Sequence, residues 1–277
     1  MTAALIDRKR LTDDTKSMLS GAQVSPKAMT ALYLGIFLVL DLLVTFIGDT
    51  GLAYKFVTIL TSLLLMVLNA GFVLYCMDIR SGQKSGFLTL FDGFSLAGKI
   101  IMLELVSSFF VFLWSMVFVI PGIIARYRYR FAVYNLLENP DLGVFEALNM
   151  SKQQTMGYKT QLFILDLSYI GWTILASLPA TIYSSSLQME SLQSTIHSVG
   201  LLSAMPLEAS VAALLPLWGW VLISDVWNLA VSLFYLPTYQ CVELGYFDIA
   251  KETSGVGSKA PQDSFFGGDS DDTTPTF

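Results

Sequence analysis

Apolar residues in this chain gather into long runs, and the runs rather than any short periodicity define its elements. A helix needs roughly 20 apolar residues to cross a hydrocarbon core. Residues 31–48 make a first such run and residues 53–77 a second, with Asp49-Thr50-Gly51 as the turn between them. A third opens at Ile100 and continues to Ala125, where a basic patch interrupts it; apolar character then returns until Glu138-Asn139-Pro140-Asp141. Further runs cover residues 162–183 and 212–236, the last with Asp225 near its middle and Pro237 at its end. An isolated strand cannot satisfy its backbone in lipid, so the pattern predicts an all-α, polytopic transmembrane bundle of about six spans.

Shorter segments mix polar and apolar positions. Residues 6–20 suit a helix lying at the membrane surface. Ser25-Pro26 reads as a helix start, with a capping side chain followed by proline in the first turn. Residues 81–99 are rich in Gly and Ser and predict a loop with a short interfacial helix over 88–94. Over 143–159, Val144, Phe145 and Leu148 fall at helical spacing against Glu146 and Lys152, with Asp141 available as a cap, which predicts an amphipathic surface helix. From residue 251 the chain turns to Gly, Ser, Thr and Asp and is expected to be disordered. The organisation is thus a surface segment over 1–30, a membrane domain over 31–250 and a polar tail over 251–277.

Lys and Arg near spans are retained on the cytoplasmic side. They gather before the first span, in the loop after the second, and between Arg126 and Lys159, whereas residues 184–210 carry none. Both termini are therefore expected in the cytoplasm, and Lys99 and Lys152 share a side only if the chain between them crosses twice. Pro121-Gly122 is the expected tip of that hairpin, because proline removes a donor and glycine permits a tight bend. The competing reading is a kink in one long helix.

Composition narrows the class further. The chain is 54% hydrophobic and 14% charged, with a mean hydropathy of +0.60, which excludes an ordinary soluble protein. The net charge of -6 owes much to Asp263, Asp269, Asp271 and Asp272 in the tail and implies no acidic binding face. Cys76 and Cys241 lie in apolar surroundings and read as buried small hydrophobes. His197 has no His or Cys neighbours, so neither a metal nor another cofactor is expected, and no nucleic-acid partner. The N-terminus has no apolar core after its basic cluster and is not expected to be a cleaved signal.

Candidate chemistry rests on charges inside apolar sequence. Arg126, Arg128 and Arg130 in IPGIIARYRYR must snorkel, pair with acids or line a wet cavity. On a continuous helix Arg126 and Arg130 would share a face, with Arg128 nearly opposite. Asp41, Glu104, Asp166 and Asp225 fall in or near spans, and each carboxylate needs a partner, a proton or water. Arg126 or Arg130 with Asp166 is the expected pairing. Structural ties outweigh an ion or substrate route as the reading of these groups. No phosphate loop, nucleophile elbow or metal cluster appears, so an enzyme is not expected; His197, Glu190 and Glu208 in one pocket would reopen that reading.

The stretch IPGIIARYRYRFAVYNLLENPDLGVFEALNMSKQQTMGYKTQLFILDLSYIGW resembles the signature of the bacterial membrane family called domain of unknown function 975. Matching positions include Pro121, Gly122, Ser151, Gly157, Gly171 and Trp172, and the stretches 6–34 and 236–247 are similar to the family's ends. The resemblance implies a multi-pass plasma-membrane protein with no assigned activity. With helix 143–159 as a cytoplasmic surface, the expected role is a noncatalytic component that associates with lipids or a protein partner; the alternative is a small-molecule or ion transporter, with Asp225, Asp166 and the arginines along its route.

Overall fold

The computed structural model describes residues 5–47, 51–198 and 217–257, with the side chains of 186–198 and 217 left outside the description. Among the described residues the secondary structure is helical throughout: α1 (Arg8–Ser20), α2 (Pro26–Ile47), α3 (Leu52–Arg80), α4 (Thr89–Asp92), α5 (Ala97–Val117), α6 (Val119–Arg128), α7 (Ala132–Glu138), α8 (Val144–Gln154), α9 (Lys159–Ser198) and α10 (Leu217–Ser254). A 3-10 turn, Gly93–Leu96, joins α4 to α5. Five helical stretches are long and apolar enough to cross a membrane: α2, α3, Thr89–Val117, the first 27 residues of α9, and most of α10. The sixth passage read from the sequence is built instead as a split arm of two short helices, α6 and α7. Residues of the polar tail beyond 257 lie outside the described part, as do 199–216, and residues 251–254 continue α10.

Burial divides the molecule along its length. One end holds a dense core in which Tyr75, Cys76, Phe131, Leu136, Ala147, Leu148, Val242, Phe247 and Ala250 are buried together. Elsewhere the long helices turn large apolar side chains outward, among them Phe46, Phe56, Ile59, Leu167, Ile174, Trp218 and Phe234. Such exposure is ruinous in water and natural against acyl chains. Cys76 and Cys241 are free thiols inside the core.

Several joints fix this core. Glycine lets α4 sit directly on α3, since a Cβ at Gly71 would meet the Leu90 carbonyl oxygen at 1.8 Å, and one at Gly93 would meet that of Val67 at 2.6 Å. The Tyr75 hydroxyl donates to the Val24 carbonyl at 2.7 Å and pins the α1–α2 link. Arg80 donates to Asp248 at 2.7 and 2.9 Å and to the Cys241 carbonyl at 3.1 Å, tying α3 to α10. Lys99 caps the carbonyls of Pro140 and Leu142 at 2.5 and 3.3 Å, so the start of α5 meets the loop before α8.

The chain reverses between α5 and α6, which settles hairpin against kink. A Cβ on Gly122 would lie 2.0 Å from the Ser115 Oγ, and the rings of Phe110 and Tyr129 pack tilted with centroids 5.9 Å apart, so the two arms run antiparallel in contact. The turn itself falls at Phe118, in extended conformation with φ -159° and ψ 155°, and not at Pro121-Gly122. Pro121 sits in the first turn of α6, where its missing N–H leaves no intrahelical bond undone. Gly122 serves close approach of the arms rather than the bend.

The segment read as an amphipathic surface helix is α8, and it is more deeply built in than that pattern implies. Ala147, Ser151 and Gln154 are fully buried, while Phe145 and Lys152 face outward. Gly143, not Asp141, stands at its N-cap. Gln154 and Asn135 of α7 exchange two amide hydrogen bonds at 2.8 Å, each satisfying the other in the core.

Candidate polar site in the bundle

The returning arm breaks between α6 and α7, at Tyr129, Arg130 and Phe131. A break orphans backbone groups, and Ser151 satisfies two of them: it accepts from the Phe131 N–H at 3.1 Å and donates to the Arg128 carbonyl at 2.9 Å. Thr155 adds a second donor to that carbonyl at 3.3 Å. The break takes Arg130 off the helical face it would share with Arg126 and aims it between α9 and α10.

There the guanidinium meets two carboxylates. Its Nη1 and Nη2 donate to Asp166 at 2.6 and 2.9 Å, and its Nε and Nη2 donate to Glu243 at 2.6 and 2.9 Å. Tyr127 and Tyr239 each donate to Asp166 at 2.7 Å, and Nη2 also reaches the Tyr239 hydroxyl. Tyr134 donates to Glu243 at 2.7 Å and accepts from Gln240 at 2.9 Å. The Tyr127 ring lies 5.5 Å from the guanidinium carbon. With Arg130 only 14% exposed and Glu243 5%, desolvation is heavy, and charge-assisted bonds to both carboxylates are what offset it. Chemically this is a closed tie among α6–α7, α9 and α10.

Beside the tie lies a cavity of about 610 Å³ between α3, α5, α6–α7 and α10. Glu104 of α5 and Arg126 of α6 both line it and interact electrostatically, yet no ion pair within 4 Å joins them among the described residues. Arg128 is half-buried near Lys159 on the other side of the arm. Asp225 of α10 faces Asp41 of α2, and its Oδ2 is buried with no hydrogen-bond partner among the described residues.

The remaining motif residues separate by role. Gly157 adopts φ +89° in the α8–α9 link, a conformation that favours glycine. Trp172 stacks on Tyr235 with ring centroids 6.1 Å apart. Nothing in the structure explains Gly171, where an added Cβ meets no atom within 4 Å. The side chains of Glu190, His197 and Glu208 lie outside the described residues.

Glu243 escapes the sequence pattern, in which the last apolar run ends at Pro237. Pro237 instead lies inside α10. A signal was present: Tyr239 and Glu243 are four apart and so share a helical face.

Long apolar helices around a buried ionic tie define a polytopic α-helical protein of the membrane class. Residues 115–248 match the family described as "Protein of unknown function (DUF975)", which bears out over that stretch the resemblance read from the sequence. No curated protein and no solved structure matches the chain.

Proposed function

We propose that this protein is a noncatalytic, multi-pass component of a bacterial plasma membrane, with the end that carries α1, α8 and the C-terminus of α10 in the cytoplasm. That end engages lipid headgroups or a partner protein. The observation that carries the orientation is the charge distribution: Arg8, Lys9, Arg10, Lys16, Arg80, Lys99, Lys152 and Lys251 belong to that end, whereas Lys55 stands near the start of α3 at the other. The retention of basic residues on the cytoplasmic side then sets direction. The noncatalytic reading is supported by the Arg130 tie, whose charged groups are engaged with one another rather than held ready for a substrate.

Single cysteines at residues 9 and 84, in a chain lacking Cys76 and Cys241, test the orientation. An impermeant maleimide is expected to label them only after cells are opened, and labelling in intact cells overturns it. Exchanging Arg8, Lys9 and Arg10 for Gln is expected to lower retention of phosphatidylglycerol or of a crosslinked cytoplasmic partner in the purified protein.

A transporter is the second reading, favoured by the unpartnered Asp225 Oδ2 beside Asp41. Under it, proteoliposomes show an ion or solute flux that Asp225→Asn removes.

A further inference from the structure

The cavity beside the Arg130 tie shares Arg130, Tyr134 and Glu243 with it, but its other two charges, Arg126 and Glu104, are not closed on each other. Arg126 makes no hydrogen bond or ion pair within 4 Å among the described residues, and Glu104 stands on a facing wall as its electrostatic neighbour. Ser107, Ser108, Asn69 and Gln240 also line the space, with Leu103, Val111, Phe112 and Val133 among its apolar part. A volume of about 610 Å³ is the size of a small-ligand site.

An opposite pair that lines one cavity without joining, Arg126 exposed and Glu104 half-buried, selects its occupant. A simple anion would satisfy Arg126 and leave Glu104 facing like charge. A simple cation would do the reverse. A zwitterion with an ammonium a few bonds from an anionic oxygen satisfies both, the guanidinium taking the anion and the carboxylate the ammonium. Hydroxyl and carboxamide groups between them serve the remaining lone pairs.

We propose that this cavity binds a zwitterionic group of the phosphoethanolamine type, with Arg126 on the phosphate and Glu104 on the ammonium. That chemistry reaches the cavity either as a lipid headgroup, its chains running past Phe112 and Val111, or as a free solute. The site is independent of which end of the bundle faces the cytoplasm.

The full chain in detergent is titrated with dihexanoyl phosphatidylethanolamine and, as an anion-only control, dihexanoyl phosphatidylglycerol. The ethanolamine lipid is expected to bind at least roughly tenfold more tightly, one charge-assisted hydrogen bond's worth. Glu104→Gln is expected to bring the two lipids level, Glu104→Asp to keep part of the preference, and Arg126→Gln to weaken both. Ser108→Phe, which fills the cavity without touching either charge, is expected to block binding while leaving thermal unfolding of the unliganded protein unchanged, so it carries the test if a charge variant fails to fold. Competition by free O-phosphoethanolamine as strong as the lipid assigns the site to a solute; weaker competition assigns it to the headgroup. Equal binding of both lipids, preference unaltered by Glu104→Gln, or no saturable binding at all overturns the proposal, the last marking Glu104 and Arg126 as a pair that closes on itself.

Discussion

Ser151 on α8 sits at the break between α6 and α7, accepting from the Phe131 N–H at 3.1 Å and donating to the Arg128 carbonyl at 2.9 Å. One hydroxyl thereby makes a gap in a helix tolerable in the core. The gap, in turn, is what frees Arg130 to reach α9 and α10.

Ser151→Ala leaves a buried N–H without its acceptor and is expected to destabilise the protein by about 1–3 kcal/mol. The check is the unfolding midpoint of the purified variant in detergent. A midpoint equal to wild type means that the joint holds without the hydroxyl.

Arg130→Met strands Asp166 and Glu243 against each other and is expected to cost about 3–5 kcal/mol, as removal of one partner of a buried ion pair does. Replacing all three groups by apolar residues, Arg130→Met with Asp166→Leu and Glu243→Met, is expected to recover part of the loss, the hydroxyls of Tyr127, Tyr134 and Tyr239 then lacking their acceptors. Chemical unfolding of the single and triple variants decides between a tie and a group needed for its charge.

A hairpin arm packed this closely has no room for a methyl group. Gly122→Ala is expected to lower stability by about 1–3 kcal/mol through overpacking against Ser115, and Ser115→Gly in the same chain to restore most of it. A crosslink between cysteines at residues 110 and 129 reports whether the arms stay together; in the native chain the Phe110 and Tyr129 ring centroids lie 5.9 Å apart.

Pro179 within α9 removes the donor that would bond the Leu175 carbonyl, and the Trp227 indole N–H supplies one instead at 2.8 Å. Trp227→Phe is therefore expected to cost about 1 kcal/mol, and distinctly less in a Pro179→Ala background, where the helix regains its own donor. A double-mutant cycle on thermal unfolding measures the coupling, and strict additivity would count against it.

Long apolar runs made the helical membrane class legible, because nothing but helix satisfies a backbone at that length in lipid. Reversal of the chain near Pro121 was legible from charge placement, but its position was not. Pro and Gly each have two uses, bend and close packing, and only the partner at Ser115 tells them apart. Asp166 with Arg126 or Arg130 was legible as a pairing of opposite charges in apolar sequence. The choice of Arg130 was not, since it depends on a helix break that Ser151, in a separate element, makes possible. Glu243 was hidden by reading Pro237 as a stop, whereas α10 passes through it.

The tie around Arg130 also sets an order in time. Asp166 follows Arg130 by 36 residues and Glu243 by 113, so a chain made from its N-terminus presents the arginine long before its second carboxylate exists. Between the making of α9 and that of α10 the arginine has Asp166 as its one carboxylate, and arrival of α10 completes the tie. The last helix thus converts an arginine with a single carboxylate into a joint closed on two.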